Sequence, residues 1–587
     1  MRFAVLIAAA CGAAVTSAGV VKEETPYAFL NGVRQLRRSE ARRASPVTSF
    51  AESSNEVGDS VVLAIEESLE KEEMPPIVEP FGKGLVRDLK LKGKWYASDI
   101  ADGLNLKTLA TVFFMFFNCL APAVAFGGAL QKNTAGLIGV FETLLFTAIT
   151  GMAYALTSGQ PMTIMASTGP VLTFTFVLYN FAIANGYAFL PVYAWVGLWS
   201  AFYLLLASAF SFSNVIAYLT RFTDEIFSFL ISMIFIKDGS TYFLKLLQNA
   251  DVPLAMSGSA LQVGLTTFMT AYILKGLKGG SLFQKNIREK ISDFGPSLGV
   301  LAGVLVALAF KTGFGVELPA LSVPDTFATT TGRPWLTDIM SAPMNIKLGS
   351  AIPAIFGAIL FFMDQNISVR LVNMPRNKLR KGYAYDLDIL VTAGVIAAAS
   401  LFGLPWVVAA TVPALNHVGA MTLTKGETLA EKVLGKEAGV GKAEGAPLGV
   451  LENRVSGFLI HALMLGAVLK GKGLLALVPE AVLKGLFVYA GVASLKGNTM
   501  WERLVLMITG GDKKPSTPWT DNLKTSRIHA FTALQVASLY GLWWVKDSKY
   551  GIVFPIVIAA LHPIRLLAEK LGWFSKQELE YLDGETE

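Results

Sequence analysis

The sequence predicts an all-α integral membrane protein, with about fourteen transmembrane segments in two inverted repeats of seven. Three observations predict it. Of 587 residues only 16% are charged and 53% are hydrophobic, and the mean hydropathy is +0.50; a soluble chain carries about a quarter of charged residues. Apolar runs recur from Leu106 to Ala568, each long enough to cross a hydrocarbon core of ~30 Å. The loops between them alternate in charge as the positive-inside rule requires.

The first repeat reads as segments 106–130, 136–157, 160–183, 189–210, 223–237, 259–276 and 295–311, within a domain spanning 101–312. An outer linker covers 313–346. The second repeat, 347–572, reads as 347–371, 385–402, 405–421, 454–469, 473–495, 527–545 and 549–571, followed by a tail from 573 to 587. An inner N-terminus makes three basic loops inner ones: Lys275 to Lys290, Arg370 to Lys381, and Lys496 to Arg527, with Arg503 counted in the last. The outer loops at 131–135, 184–188 and 403–404 are short and nearly uncharged.

Residues 1–20 read as a signal sequence: Arg2, an apolar core from Ala4 to Val15, then small residues to Ala18. The stretch 21–100 reads as disordered or transit-like. Its first part carries Arg34, Arg37, Arg38, Arg42 and Arg43 among Ser and Ala, and 55–100 is acidic and polar. A signal followed by a transit-like segment is an address for the plastid envelope, as in algae with secondary plastids. An uncleaved leader at the plasma membrane fits the same residues, and both readings stay open.

Cys11 and Cys119 cannot build a disulfide framework or a thiolate metal site, and the four histidines show no metal-ligand spacing. There is no Walker loop, so the chain carries no ATP-driven pump of its own. The net charge of +6 resides in particular loops and implies no nucleic acid. No nucleophile–base pair is legible, so no enzyme and no cofactor is expected.

The third segment of each repeat is unusual. In the first, Gln160-Pro161 enters and Ser167-Thr-Gly-Pro170 breaks the chain; in the second, Leu404-Pro405-Trp406 enters and Ala409-Ala-Thr-Val-Pro413 breaks it before His417. Irregular backbone survives at membrane depth only when packed in protein or lining a polar cavity. Gly/Pro interruptions at matching positions of two halves are the sequence pointer to a transporter's binding site. Two helix N-termini meeting there would offer unpaired N–H groups to an anion.

Asp364, in Phe361-Phe-Met-Asp-Gln-Asn-Ile-Ser368, is a carboxylate within a span and so marks an ion pathway. Ser368 lies four residues on, along the same helical face. A carboxylate with hydroxyls and freed carbonyls is a hard oxygen set suited to Na⁺; the plainer alternative has Asp364 at the membrane edge pairing with Arg370. Glu142 is expected to steady the broken segment through hydrogen bonds, and His417 to be a hydrogen-bonded packing residue. Asp386 and Asp388, beside Lys381, read as interface anchors.

These residues carry a family resemblance. From about Leu106 to Asp583 the chain resembles the bicarbonate transporter family of solute carriers, which includes chloride/bicarbonate exchangers and sodium–bicarbonate cotransporters. The resemblance rests on Ser158-Gly-Gln-Pro161, Ser167-Thr-Gly-Pro170, Phe222-Thr-Asp-Glu-Ile-Phe-Ser-Phe-Leu-Ile231, Phe362-Met-Asp-Gln365, Gly403-Leu-Pro-Trp406, Ala409-Ala-Thr-Val412 and Phe487-Val-Tyr-Ala-Gly-Val492. It implies core and gate domains, a substrate site between the third and tenth segments, rocking or elevator movement, and a homodimer. Exchangers of the family carry Glu in the eighth segment and Arg just after Ala-Thr-Val; this chain has Asp364 and no Arg, as sodium-coupled members do. Pro413 departs both from the exchangers' Arg and from the cotransporters' usual aliphatic residue. The resemblance therefore implies Na⁺-coupled bicarbonate or carbonate symport, with Na⁺ at Asp364, Ser368, Thr168 and Thr411. The anion would lie near the N–H groups of Gly169 and Val412, with Pro170, Pro413, Glu142 and His417 supporting. Sodium-independent anion exchange is the nearest alternative, borate transport a further one, and a non-transporting scaffold the alternative from another class.

Overall fold

In the computed structural model the described residues are 76–218, 220–279, 282–320, 327–424, 447–470, 477–509, 514–548 and 554–584. The expected leader at 1–20 and the Arg/Ser-rich stretch that follows lie outside them. The described chain is almost entirely helical, and seven of its helices are long and apolar enough to cross a membrane. Each of these seven falls on an expected segment; Gly169–Ala184 and Val455–Leu469 are apolar but shorter.

The last part of the region read as disordered or transit-like is ordered. Helix α1 (Lys83–Ala101) forms there and buries Asp88, Lys92 and Asp99 against the rest of the chain. Its charge pattern hid it, because the face turned inward is polar rather than apolar.

Helix α2 (Leu106–Asn133) follows, capped by the Asn105 side chain, which accepts from Thr108 N at 2.9 Å. Helix α3 (Val140–Thr157) starts where the Glu142 carboxylate accepts from Gly139 N at 3.1 Å. It stops at Ser158, whose backbone is extended.

The chain then departs from the expected helix. Strand β1 (Met165–Ala166) precedes α4 (Gly169–Ala184). After α5 (Phe189–Ala209), α6 (Arg221–Gln248), α7 (Leu254–Gly276), α8 (Lys285–Phe314), α9 (Met344–Gly349), α10 (Ala351–Val372) and α11 (Tyr385–Phe402), the pattern returns as β2 (Val408–Ala409) and α12 (Thr411–Met421). The two strands pair antiparallel, Met165 with Ala409 and Ala166 with Val408. Ala410 N donates to Ile164 O at 2.8 Å beyond them. Each extended segment thus supplies the hydrogen-bond partners the other needs in a medium without water. Pro413, expected to break its span, instead lies in the first turn of α12, where no intrahelical N–H bond is lost.

A second short pair joins β3 (Thr422–Thr424) to β4 (Pro447–Val450), ahead of α13 (Val455–Leu469). The chain ends through α14 (Glu480–Leu495), α15 (Thr499–Ile508), α16 (Pro518–Asn522), α17 (Thr525–Asp547), α18 (Phe554–Ala559), α19 (Leu561–Lys570) and α20 (Lys576–Leu582). The expected segment 549–571 is therefore two short helices. Arg370 and Arg503, read as loop charges, are instead buried within α10 and α15.

Helix α5 packs against α10 and α11, α3 against α13, and α14 against both α6 and α7. Small residues permit the closest of these approaches. A methyl group on Gly485 of α14 would strike the backbone of Gly264 in α7. One on Gly491 would lie 2.8 Å from Ser232 O in α6. In lipid, where apolar burial between helices gains little, such backbone-to-backbone contact is a main source of cohesion.

Candidate functional site

The two strand–helix units converge on one cavity. Thr168, Gly169 and Pro170 line it from the start of α4, and Thr411, Val412 and Pro413 from the start of α12. The first-turn N–H groups of a helix have no intrahelical acceptor, so both N-termini present donors and partial positive charge to this space. Pro170 and Pro413 lack an N–H and leave Gly169, Thr411 and Val412 among the available donors. The cavity holds about 40 Å³ of space for water-sized groups, room for small ions with a few ligands.

Asp364 enters from the middle of α10 and is 2% exposed. Its Oδ2 accepts from Thr168 Oγ1 at 2.7 Å, while Oδ1 is buried with no hydrogen-bond partner among the described residues. Arg370, the alternative partner weighed from sequence, instead pairs with Asp224 of α6 at 2.7 Å. Among the described residues lining the cavity Asp364 is the one that is charged, and no Lys, Arg or His joins it.

Ser368 stands one layer behind: its Oγ lies 2.7 Å from Thr411 Oγ1 and donates to Ala409 O at 3.2 Å. Ser167, not singled out from sequence, lines the cavity, and its hydroxyl is buried with no hydrogen-bond partner among the described residues. The oxygens gathered at the cavity are thus Asp364, Thr168, Ser167 and Thr411. Among the described residues no three His, Cys, Asp or Glu side chains come together as a metal centre.

With this geometry, two proline-bearing half-helices facing a lone carboxylate, the comparison with known proteins is direct. A family model described as the HCO3− transporter integral membrane domain matches residues 79–263 and 259–587. The chain belongs to that family.

Among its HCO3− transporter relatives, rat band 3 anion transport protein is 34% identical over 524 residues, covering 86% of this chain and 55% of that protein. Rat electroneutral sodium bicarbonate exchanger 1 is 32% identical over 570 residues, covering 85% and 50%. Electrogenic sodium bicarbonate cotransporter 1 of Ambystoma tigrinum is 32% identical over 581 residues, covering 86% and 54%. The chain spans about half the length of the curated relatives it matches. Their names are those of transporters, not of enzymes. Among solved structures, the transmembrane domain of a cyanobacterium bicarbonate transporter BicA aligns at TM-score 0.41 and 14% identity, over 74% of this chain and 97% of that one. That likeness is too distant to carry an argument.

Within this family member, the remaining expected residues lie away from the cavity. Glu142 accepts from Thr330 N and Thr330 Oγ1, both at 2.6 Å, so it ties α3 to the chain between α8 and α9 rather than to the broken segment. His417 joins Met162 O and Ser456 Oγ, each at 2.8 Å, and is fully buried.

Asp386 and Asp388, read as interface anchors, are internal. Asp388 Oδ1 accepts from Tyr154 Oη at 2.8 Å, Gly159 N at 2.8 Å and Gln160 N at 3.1 Å, holding the backbone that leads to β1. Gln365, next to Asp364, accepts from Ala409 N at 2.8 Å and donates to Tyr154 Oη at 2.9 Å. Sequence reading also missed the opposite wall, where Phe227, Ile231, Ile234 and Phe235 of α6 face the cavity. A four-residue recurrence across Phe227, Ile231 and Phe235 was its available signal.

Proposed function

We propose that the protein is a secondary active transporter that moves bicarbonate or carbonate together with Na⁺, by alternating access around the cavity at Asp364. The observation that carries this reading is a single carboxylate between two helix N-termini, with no basic side chain among the described residues lining the space. An anion placed about 4 Å from Asp364 would meet a repulsion of roughly 4 kcal/mol at an effective dielectric of 20. A Na⁺ held by Asp364 Oδ1 and the hydroxyls of Thr168, Ser167 and Thr411 offsets that repulsion, so each ion favours the other's binding. Ser368 acts by orienting Thr411. The N–H groups of Gly169 and Val412 face the anion. The absence of Arg at position 413, where the resemblance has exchangers carrying one, supports the same assignment, although Pro413 also departs from the aliphatic residue usual in cotransporters.

The fourteen-segment plan belongs to this proposal, with repeats over 101–312 and 347–572 joined by the linker 313–346, a core and gate division, and a homodimer. The repeated order of strand, Pro-bearing half-helix and antiparallel pairing supports it. A sodium-independent exchange reading is favoured by one observation, the slightly higher identity to band 3 than to the sodium-coupled relatives.

Uptake of radiolabelled bicarbonate into proteoliposomes, with and without Na⁺, separates the two. The expected result is uptake that falls to the protein-free level without Na⁺. Asp364→Asn should lower Na⁺-dependent uptake by roughly ten-fold or more while the protein still folds and inserts. Uptake indifferent to Na⁺ but dependent on chloride on the opposite side would replace symport by exchange.

A further inference from the structure

Helix α1 has three faces rather than two. Its inward face carries Gly84, Asp88, Lys92 and Asp99, all buried. At 100° per residue, Val86, Leu89, Tyr96 and Ile100 share one outer flank, and Lys83, Arg87, Lys90 and Lys94 share the other. The apolar flank is open: Val86 is 50% exposed, Leu89 55% and Ile100 45%. Phe81 and Leu104 extend the exposure beyond both ends of the helix, at 76% each.

The buried face shows where the helix lies. Just before its start, Gly82 N donates to Ala209 O at the end of α5, at 2.7 Å. In its first half, Asp88 Oδ2 accepts from Asp386 N at 3.0 Å and Leu387 N at 3.2 Å, at the start of α11. Near its end, Asp99 pairs with Lys381 at 2.8 Å and with Arg454 at 3.0 Å, ahead of α13. Arg454 also donates to Ala155 O in the last turn of α3, at 3.0 Å. The α1 helix therefore runs across the ends of four membrane helices and turns directly into a fifth, α2. All these ends lie on the side of the basic loop that contains Lys381, the inner side by loop charge.

A helix lying along that side meets two media. Its exposed apolar flank matches the acyl boundary, and its basic flank matches headgroups of negative charge. Arg87 is engaged with Glu79 at 2.8 Å, and Lys83 lies 3.8 Å from the same carboxylate. Lys90 and Lys94 are exposed and make no ion pair with the described residues. We infer that α1 is an in-plane helix that binds acidic phospholipid of the inner leaflet. Val86, Leu89 and Ile100 enter the acyl boundary, and Lys83, Lys90 and Lys94 contact the headgroups. Its buried face transmits the attachment inward. Asp88 holds the first backbone amides of α11, and Asp388 two residues on holds Gly159 and Gln160 ahead of β1.

The test reads binding and stability, so it is independent of what the protein transports. The purified full chain is melted in non-ionic detergent with added phosphatidylcholine or phosphatidylserine. Phosphatidylserine should raise the melting temperature above the phosphatidylcholine value, and high salt should reduce that rise. A Lys83→Gln, Lys90→Gln, Lys94→Gln triple variant should lose more than half of the rise while melting normally in phosphatidylcholine. Absence of any phosphatidylserine preference, or a preference the triple variant keeps in full, overturns the proposal. A second measurement locates the flank. A spin label at Leu89→Cys in phosphatidylserine-containing vesicles should be relaxed more by oxygen than by an aqueous nickel chelate, and one at Lys90→Cys the reverse. Equal aqueous access at both positions means that the flank faces solvent or another protein segment, and also overturns it.

Discussion

The two walls of the cavity are built on opposite principles. On one side, α10, β1, β2 and α12 carry polar atoms at the level of the cavity, and those atoms are cross-bonded behind it. Gln365 bridges Ala409 N and Tyr154 Oη, Asp388 takes Tyr154 Oη with Gly159 N and Gln160 N, and Ser368 meets Thr411. On the other side, α6 presents Phe227, Ile231, Ile234 and Phe235 to the cavity. Its hydrogen bonds at that level point away from the cavity wall: Ser232 Oγ meets Ser494 Oγ of α14 at 2.7 Å, and Ser228 Oγ accepts from Asn498 Nδ2 at 3.0 Å. Its N-terminal end is tied by further polar contacts. Phe222 N donates to Asp583 Oδ1 at 2.6 Å, Arg503 bonds Glu225, and Arg370 reaches across from α10 to Asp224. The difference follows from the solvent. A polar wall in lipid needs internal partners for its backbone and is held rigid by them. An apolar wall needs none.

The sharpest test of this contrast lies at the anchored end of α6. Arg503 is fully buried and donates to Glu225, to Gln535 Oε1 at 2.9 Å and to Leu582 O at 3.2 Å. Arg503→Leu leaves Glu225 with the neutral Gln535 Nε2 at 3.0 Å and the partly exposed Arg221 at 3.3 Å, and should cost about 3 kcal/mol or more. Thermal melting in detergent measures it; unchanged melting would mean that the ion pairs do not anchor this wall.

Asp388→Ala tests the polar wall and should cost about 2 kcal/mol, because three buried donors lose one acceptor. Hydrogen exchange at Gly159 and Gln160 should quicken, while amides in the middle of α6 stay as protected as before. Asp388→Asn, which keeps an acceptor oxygen, should recover part of the loss. Equal acceleration on both walls would show that they open as one unit.

The smallest effect is expected at the rim of the anchor. Arg527 donates to Glu578 of α20 at 2.7 Å, and that hydrogen bond, opposed by burial and helped by the bonds from Ser575 and the Arg527 charge, pulls the Glu578 carboxyl down from 4.5 to about 2. A depressed acid contributes stability that is present above its unfolded value and lost as pH falls through the folded one. Attachment of the C-terminal helix should therefore weaken between about pH 4.5 and pH 2. Limited pepsin cleavage of α20 across that range should show the rise in the parent protein and a flatter profile in Glu578→Gln.

Much of the cavity was legible before any fold was known. The seven long apolar helices lie on expected segments, because hydropathy acts through the composition of each segment alone. Thr168, Gly169, Thr411 and Val412 were found through the Gly/Pro interruptions beside them, and Asp364 through a charge where lipid tolerates few. Other features were hidden for physical reasons. Ser167 and Ser368 look alike in sequence, and only the direction of each side chain puts one in the cavity and the other behind it. Helix α1 was missed because its buried face is charged, the reverse of the pattern by which a helix is recognised.

The sequence by itself determined that the chain crosses a membrane, where two spans are interrupted, and that the interruption is served by a carboxylate without an arginine. These are local facts: a proline lacks its N–H and a run of apolar side chains prefers lipid wherever the rest of the chain goes. Tertiary structure alone decided which groups satisfy the interrupted backbone and what closes the cavity. Met165 pairs with Ala409, and Tyr154 with Asp388 across 234 residues of chain. Partners so far apart are chosen by packing, since in lipid every exposed backbone group must find one and the sequence near it does not say which.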